Sequence, residues 1–193
     1  MAVKIGIIAG SLREGSYNAK LANLAAEDAR TLGADVTAID LAEFDLPIYH
    51  HAIETDAFPD AALRLKETLK AQDALLIASP EYNGSIPGLL KNTIDWASRP
   101  TDGEGLVALS AFRDKAAGIM SASISPFGGL RGLAHLRQIL STIQMVVHPA
   151  QVSVPVAHQA FDGDRLVDDL PRQLLADMVG KVAAMAEGLR ASN

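Results

Sequence analysis

Val3-Lys4-Ile5-Gly6-Ile7-Ile8-Ala9 runs straight into Gly10-Ser11-Leu12-Arg13-Glu14-Gly15-Ser16-Tyr17-Asn18, and this junction decides the fold. The first part is mostly apolar on both faces, with β-branched Val3, Ile5, Ile7 and Ile8. Such a run suits a strand in the middle of a parallel sheet covered on both sides. From 16 to 32 the pattern turns helical: Leu21, Leu24, Ala25 and Leu32 fall near one face, Glu27, Asp28 and Arg30 outside it, and Gly33 is a good stop. A strand that ends in Gly, Ser, Arg and Ser and then opens a helix is equipped to hold an anion. The first N–H groups of a helix lack intrahelical partners, and the helix dipole puts partial positive charge there. Ser11 and Ser16 can add hydroxyl hydrogen bonds and Arg13 a charge-assisted one. Taken alone, the loop also reads as an ordinary βα turn whose serines cap a helix. It contains neither G-x-G-x-x-G nor G-x-x-x-x-G-K-[ST], which disfavours a dinucleotide fingerprint or a nucleoside triphosphate P-loop.

The alternation continues along the chain. Residues 35–41 read as a second strand, and a helix between two strands makes a parallel βαβ unit. Residues 43–58, rich in Pro, His, Tyr and acids, read as an ordered irregular loop near a ligand. A helix is expected over 60–71, with an Asp at its start. A third strand follows over 74–79, and then a helix over 88–98 introduced by Pro87 and holding the only tryptophan, Trp96. After a linker at 99–105 come a strand over 115–121, a helix over 130–142, a strand within 146–154 and a last helix over 167–189. Leu174, Met178, Val182, Met185 and Leu189 mark the buried stripe expected on that last helix. No internal repeat or composition break divides the chain, so residues 1–193 form one α/β domain, a three-layer αβα arrangement around a five-stranded parallel sheet. The expected strand order, 2-1-3-4-5, is flavodoxin-like. It brings the loops after strands one, three and four to one edge of the sheet, where ligands of such sheets bind.

Composition narrows the chemistry. A hydrophobic fraction of 49% in 193 residues supports a well-buried core. The net charge of −6 offers no global attraction to nucleic acid or to an anionic membrane, so anion binding has to be local. The absence of cysteine removes disulfides, thiolate metal sites and cysteine nucleophiles. The apolar run at 3–9 is too short for a signal-peptide core or a membrane span, and a cytoplasmic protein is expected. No metal site is expected, because the five histidines, His50, His51, His135, His148 and His158, show no ligand spacing; His50-His51 reads as a surface or substrate-pocket pair.

The other two loops are also small and polar. Pro80-Glu81-Tyr82-Asn83-Gly84-Ser85 offers backbone N–H groups, an aromatic ring and an amide, which would suit a flat heterocycle, or it is simply a Pro/Gly turn. Ser121-Ala122-Ser123-Ile124-Ser125-Pro126-Phe127-Gly128-Gly129 says little alone. Together, Gly10-Ser11-Leu12-Arg13 through Ser16-Tyr17-Asn18, Pro80-Glu81-Tyr82-Asn83, the run Pro87-Gly88-Leu89-Leu90-Lys91-Asn92-Thr93-Ile94-Asp95-Trp96, and Gly128-Gly129-Leu130-Arg131 with His135-Leu136-Arg137-Gln138-Ile139-Leu140 resemble the NAD(P)H-dependent FMN reductase family. That family includes chromate reductases, quinone reductases and small azoreductases.

The resemblance implies a flavodoxin-like fold with FMN as cofactor and NAD(P)H as co-substrate. By position it places Ser11, Arg13, Ser16, Tyr17 and Asn18 around the FMN phosphate. Pro80, Glu81, Tyr82, Asn83 and Gly84 would line the isoalloxazine, with Ser123 and Ser121 contributing from the third loop. It implies a homodimer or homotetramer built on the helix from Leu89 to Trp96, and hydride transfer to a small-molecule acceptor such as a quinone, azo compound, chromate or free flavin. Ser125-Pro126-Phe127 departs from the smaller residues common in relatives, and Phe127 could cover the flavin or restrict the acceptor. Arg131 could bond the 43–58 loop, a neighbouring subunit or the NADPH phosphate, or stand as a solvated arginine at a helix start. No side-chain catalytic constellation is present, which fits chemistry carried by the flavin, with alternating ping-pong kinetics. A flavodoxin-like electron carrier and a phosphate-ligand binding module without redox chemistry are the alternatives.

Overall fold

The computed structural model describes residues 1–192; Asn193, the last position of the expected domain, lies outside the described residues. Five parallel strands form one sheet in the order β2-β1-β3-β4-β5. They are β1 (Lys4–Ala9), β2 (Asp35–Ile39), β3 (Ala74–Ala78), β4 (Ala116–Ala122) and β5 (Val146–Val154). Seven α-helices accompany them: α1 (Tyr17–Thr31), α2 (His51–Asp56), α3 (Asp60–Lys70), α4 (Gly88–Ala97), α5 (Leu130–Thr142), α6 (Ala157–Ala160) and α7 (Asp169–Ser192). A 3₁₀ turn spans Leu41–Phe44, and a small antiparallel hairpin pairs β6 (Phe161–Asp162) with β7 (Arg165–Leu166).

Alternate residues of each central strand face opposite layers. Ile5, Ile7, Leu76, Met120 and Val152 pack against the alanine-rich face of α1 and against Leu175, Met178, Val179 and Val182 of α7. Ile8, Leu75, Ile77, Ala117 and Ile119 pack on the other side against Leu65 and Leu69 of α3, Leu90 and Ile94 of α4, and Leu133, Leu136 and Leu140 of α5. Each fully buried Leu or Ile contributes roughly 1.5–3 kcal/mol, so the central strands hold the two layers together.

Two expected stripes are shifted. In α7, Leu175 is buried while Leu174 is 48% exposed, so the packed row is Leu175, Met178, Val179, Val182 and Ala186. In α1, Leu32 is the C-cap and is 57% exposed, because the helix ends one residue before it. The buried face is instead Leu21, Ala22, Ala25, Ala26 and Ala29, and its small side chains let α7 approach closely. Asp28 is not purely outward: Arg172 of α7 binds its carboxylate, with one contact at 2.7 Å. Pro59, not an Asp, caps α3, and Asp60 is its first helical residue.

β5 is bulged. Its pairing passes from Ala117↔Val147 to Ile119↔Gln151, so β5 advances four residues while β4 advances two. The guanidinium of Arg137 on α5 serves the displaced segment, donating to the His148 carbonyl at 2.9 Å and to Gln151 Oε1 at 3.0 Å. This keeps the bulge carbonyls partnered, as half-buried backbone requires.

Residues 45–58 are ordered by α4. Trp96 is fully buried, donates Nε1–H to the Pro47 carbonyl at 2.7 Å, and meets the rings of Tyr49 and Phe58 edge-on. Asn92 holds the same segment, with its amide group donating to the Pro47 carbonyl and accepting from the Tyr49 N–H. Trp96 therefore belongs to the core of its own chain and is not displayed for a neighbouring subunit. His50 is accounted for locally, because its Nδ1 caps α2 by accepting from the Ala52 N–H at 3.1 Å.

Candidate active site

The carboxyl ends of β1, β3 and β4 bring the three loops together. Gly10 donates to the Ala78 carbonyl at 2.8 Å, and Ser79 to the Met120 carbonyl at 2.9 Å, so each strand end is tied to its neighbour. Between the loops lies a cleft of about 440 Å³, lined by Ser11, Arg13, Ser16, Tyr17, Asn18, Pro80, Glu81, Tyr82, Ala122, Ser123 and Ile124. The volume lies in the range of roughly 300–1,000 Å³ that small-molecule sites occupy.

One end of the cleft is the start of α1. Ser16 is the N-cap, and its hydroxyl oxygen accepts from the Ala19 N–H at 3.4 Å. The N–H groups of Tyr17 and Asn18, at the first two helical positions, have no carbonyl within the helix to bond. Arg13 places its guanidinium 5.8 Å from the centre of the Tyr17 ring, and that ring also stacks on Phe161 of the β6–β7 hairpin. Amides, hydroxyls and one guanidinium in this arrangement suit a compact dianion.

Asn18 lines the cleft but its side-chain amide is committed. It donates to the Ala122 carbonyl at 2.8 Å and accepts from the Ala122 N–H at 3.0 Å. The side chain is buried and joins α1 to the end of β4, so only its backbone N–H remains to meet a ligand.

At the other end Pro80, Glu81 and Tyr82 line the cleft, and Asn83 and Gly84, outside that lining, continue the loop as a tight turn. Tyr82 and Ser85 exchange backbone hydrogen bonds of 2.9 and 3.0 Å, while Asn83 and Gly84 have φ of 51° and 79°. Two positive φ values in a row are those of a type I′ turn, which leaves the central amides pointing outward. Tyr82 is 52% exposed. These groups suit the polar edge of a flat ring system.

Glu81 contributes its stem to the cleft and sends its carboxylate elsewhere. Its Oε2 accepts from the Gly132 N–H at 3.0 Å and its Oε1 from Arg131 Nε at 2.7 Å. Burial opposes its ionisation, but the Gly132 amide and the Arg131 guanidinium outweigh that penalty and hold its pKa below the usual carboxylate value. The sequence offers Arg131 the 43–58 loop as its partner within the chain, but the structure pairs it with Glu81 of the second loop. This contact reaches across 50 residues, and the sequence signals only an acid in one loop and a base at a helix start.

Ser121 and Ser123 differ. Ser123 lines the cleft, and its hydroxyl oxygen accepts from the Ser125 N–H at 3.2 Å. Ser121 is fully buried below the loop, against the backbone of Gly129. A Cβ on Gly129 would lie 1.9 Å from Ser121 Oγ, and its φ of 84° independently requires glycine. Ser121 thus sets the height of the third loop and does not face the cleft.

Sequence reasoning missed the α6 and β6–β7 segment that supports Tyr17. Asp162-Gly163-Asp164 is its one signal: Gly163-Asp164 forms the two-residue turn between Asp162 and Arg165, with Gly163 at φ 60°. Lys20 fastens this hairpin to α1 through the Gly163 carbonyl and Asp164.

Comparison with known proteins agrees with this geometry. The chain is 39% identical over 193 aligned residues to an NAD(P)H-dependent FMN reductase of Pseudomonas aeruginosa, covering 97% of both. It is 33% identical to a quinone reductase of Pseudomonas putida, covering 97% of this chain and 96% of the relative. Among solved structures it is similar to FerB, a flavoenzyme NAD(P)H:(acceptor) oxidoreductase from Paracoccus denitrificans, with 26% identity and a TM-score of 0.79 over 97% of this chain and 98% of that one. The sequence profile of the family described as NADPH-dependent FMN reductase matches residues 3–159, which include all three loops, and the chain belongs to that family.

Proposed function

We propose that this protein is an FMN-dependent NAD(P)H oxidoreductase that reduces quinones and other small acceptors such as azo compounds, chromate or free flavin. The observation that carries this reading is the single cleft with an anion-binding helix start at one end and an outward-facing amide turn at the other. Those are the requirements of the two ends of FMN. Ser11, Arg13, Ser16 and the amides of Tyr17 and Asn18 hold the phosphate. Pro80, the backbone of Glu81, Tyr82, Asn83 and Gly84, with Ser123 opposite, line the ring. Asn18 and Ser121 act from behind these contacts, through Ala122 and Gly129.

When bound, FMN supplies hydride acceptance and donation. The chain supplies position and electrostatics. The Asn83 and Gly84 amides, at the turn that follows Tyr82, would serve the ring edge, where N–H donors favour the negative charge of the reduced state. No side chain in the cleft forms a nucleophile–base pair, and Glu81 is occupied by Arg131 and Gly132, so no protein acid or base is assigned to hydride transfer. One exposed side of the cleft serves nicotinamide and acceptor in turn. Initial-velocity plots against NAD(P)H at several quinone concentrations are therefore expected to be parallel, and intersecting plots would show a ternary complex instead. Reduction of quinone with NAD(P)H and no added protein separates the enzyme from an electron carrier.

Arg13→Ala tests the phosphate end. A hydrogen bond to a charged group is worth about 1.5–3 kcal/mol, so the variant should bind FMN roughly 10- to 150-fold more weakly in a fluorescence titration. Unchanged affinity would remove Arg13 from the site. We also propose a homo-oligomer across the outer surface of α4, where Lys91 and Asp95 are exposed or half-exposed beside Ile139 of α5. Light scattering of the purified protein reads the mass directly.

A further inference from the structure

We propose that Phe127 is the acceptor-selecting residue of this enzyme: an aromatic wall, held in place by the Glu81–Arg131 pair, that favours flat aromatic acceptors. The proposal rests on the functional reading above and adds to it which feature of the chain chooses the acceptor.

Four observations carry it. Phe127 is 58% exposed, and a phenyl ring left this open next to a ligand cleft costs apolar burial that a stacking partner would recover. It is fixed despite its exposure. The Arg131 guanidinium lies over its ring at 5.1 Å, and Arg131 is anchored to Glu81 of the second loop. Its backbone is set on both sides: its N–H donates to Ser125 Oγ at 3.2 Å and its carbonyl accepts from the Leu130 N–H at 3.0 Å. Finally, it stands next to the cleft by two routes. Ile124, in the same loop, and Glu81, which holds Arg131, both line the cleft.

Tyr82 and Ile124 line the cleft and are 52% and 67% exposed, and Phe127 adds a third open apolar side chain from the loop that carries Ile124. This apolar border offers nothing to the charged phosphates of NAD(P)H or to a compact inorganic anion. It suits a planar acceptor that needs one apolar wall and no hydrogen-bond partner. Because Arg131 is paired with Glu81, its charge is largely cancelled, and its planar face remains to back the phenyl ring.

The test compares two acceptors with the same NAD(P)H and FMN-loaded protein: a naphthoquinone, which is flat and aromatic, and ferricyanide, which is neither. Phe127→Ala is expected to raise KM for the naphthoquinone about 5- to 10-fold with little change in kcat. Ferricyanide kinetics and the FMN dissociation constant should stay as in the parent. Phe127→Tyr, which keeps the ring, should restore the naphthoquinone KM. Arg131→Lys keeps the charge but not the stacking plane or the two-atom fork, and should reproduce part of the Phe127→Ala effect. Equal effects on both acceptors, or no effect on either, overturn the role of Phe127 and leave the oxidoreductase reading intact. A parent protein that reduces neither acceptor with NAD(P)H overturns that reading, and this proposal with it.

Discussion

Replacing Lys66 with methionine should lower the stability of this protein by about 3–5 kcal/mol, measured as a drop in the urea midpoint at unchanged m-value. Lys66 sits on α3 and is 1% exposed. Its ammonium donates to the Arg99 carbonyl at 2.6 Å, to Thr101 Oγ1 at 3.0 Å and to the Glu104 carboxylate. These contacts fold the 99–105 linker back onto α3, so that the chain can enter β4 from the correct side. Methionine keeps the packing volume and removes the charge, which leaves a partly buried carboxylate without its cation. Burying an unpaired ion is what makes the loss large.

The same pair predicts an acid dependence with a definite sign. Desolvation opposes ionisation of Glu104, but its bonds from Lys66 and from the Thr101 amide more than offset that and bring its pKa down from 4.5 to about 2. A lowered carboxylate pKa gives stability that is complete above the unfolded value and disappears as pH falls through the folded one. Stability should therefore decline between about pH 4.5 and pH 2. Glu104 is 19% exposed, and after solvent screening its share is of order 2 kcal/mol. Glu104→Gln should flatten this part of the pH profile. If Glu104→Gln and the parent lose stability in parallel over that range, the pair does not carry the acid dependence.

Neither member of this pair announces the other in the sequence. Lys66 shares the apolar face of α3 with Ala62, Leu65 and Leu69, where periodicity alone does not say what its ammonium meets, and Glu104 lies in a linker of Pro, Asp and Gly. The same holds for Glu81 and Arg131. Composition shows charges, but the crossing of two loops decides which charges meet. The parallel sheet was far more legible, because a strand buried on both faces is mostly apolar: Ala74–Ala78 is so throughout, and Ala116–Ala122 carries one polar side chain, Ser121. Their alternation with helical stretches leaves little freedom in strand order. Helix faces were intermediate. Leu174 and Leu175 are adjacent, and only the packing of α7 on the core decides that Leu175 turns inward. In the site, residue type identified the loops but not the direction of each side chain. Ser121 and Ser123 are two residues apart on an extended segment, so both point to the same side in a regular strand. The strand ends at Ala122, and the chain turns there. That turn puts Ser123 in the cleft and leaves Ser121 beneath Gly129.

Asn18 gives the second large effect, because it joins the start of α1 to the third loop. Its amide meets both backbone groups of Ala122, the residue at which β4 ends and the third loop begins. Asn18→Ala would leave a buried N–H and a buried carbonyl without partners, at about 1–3 kcal/mol each. A loss of about 2–5 kcal/mol in global stability is expected in the FMN-free protein. FMN affinity should fall as well, since the start of α1 and the Ser123 segment would no longer be held at a fixed spacing. A direct ligand and a positioning residue separate on this point. If the Asn18 side chain touched FMN, its removal would weaken cofactor binding and leave the FMN-free protein as stable as before. If it positions the loops, stability falls without cofactor, and added FMN recovers part of it by binding the folded form. Urea unfolding of Asn18→Ala with and without FMN distinguishes the two, and an FMN-free variant as stable as the parent would contradict the bonds to Ala122.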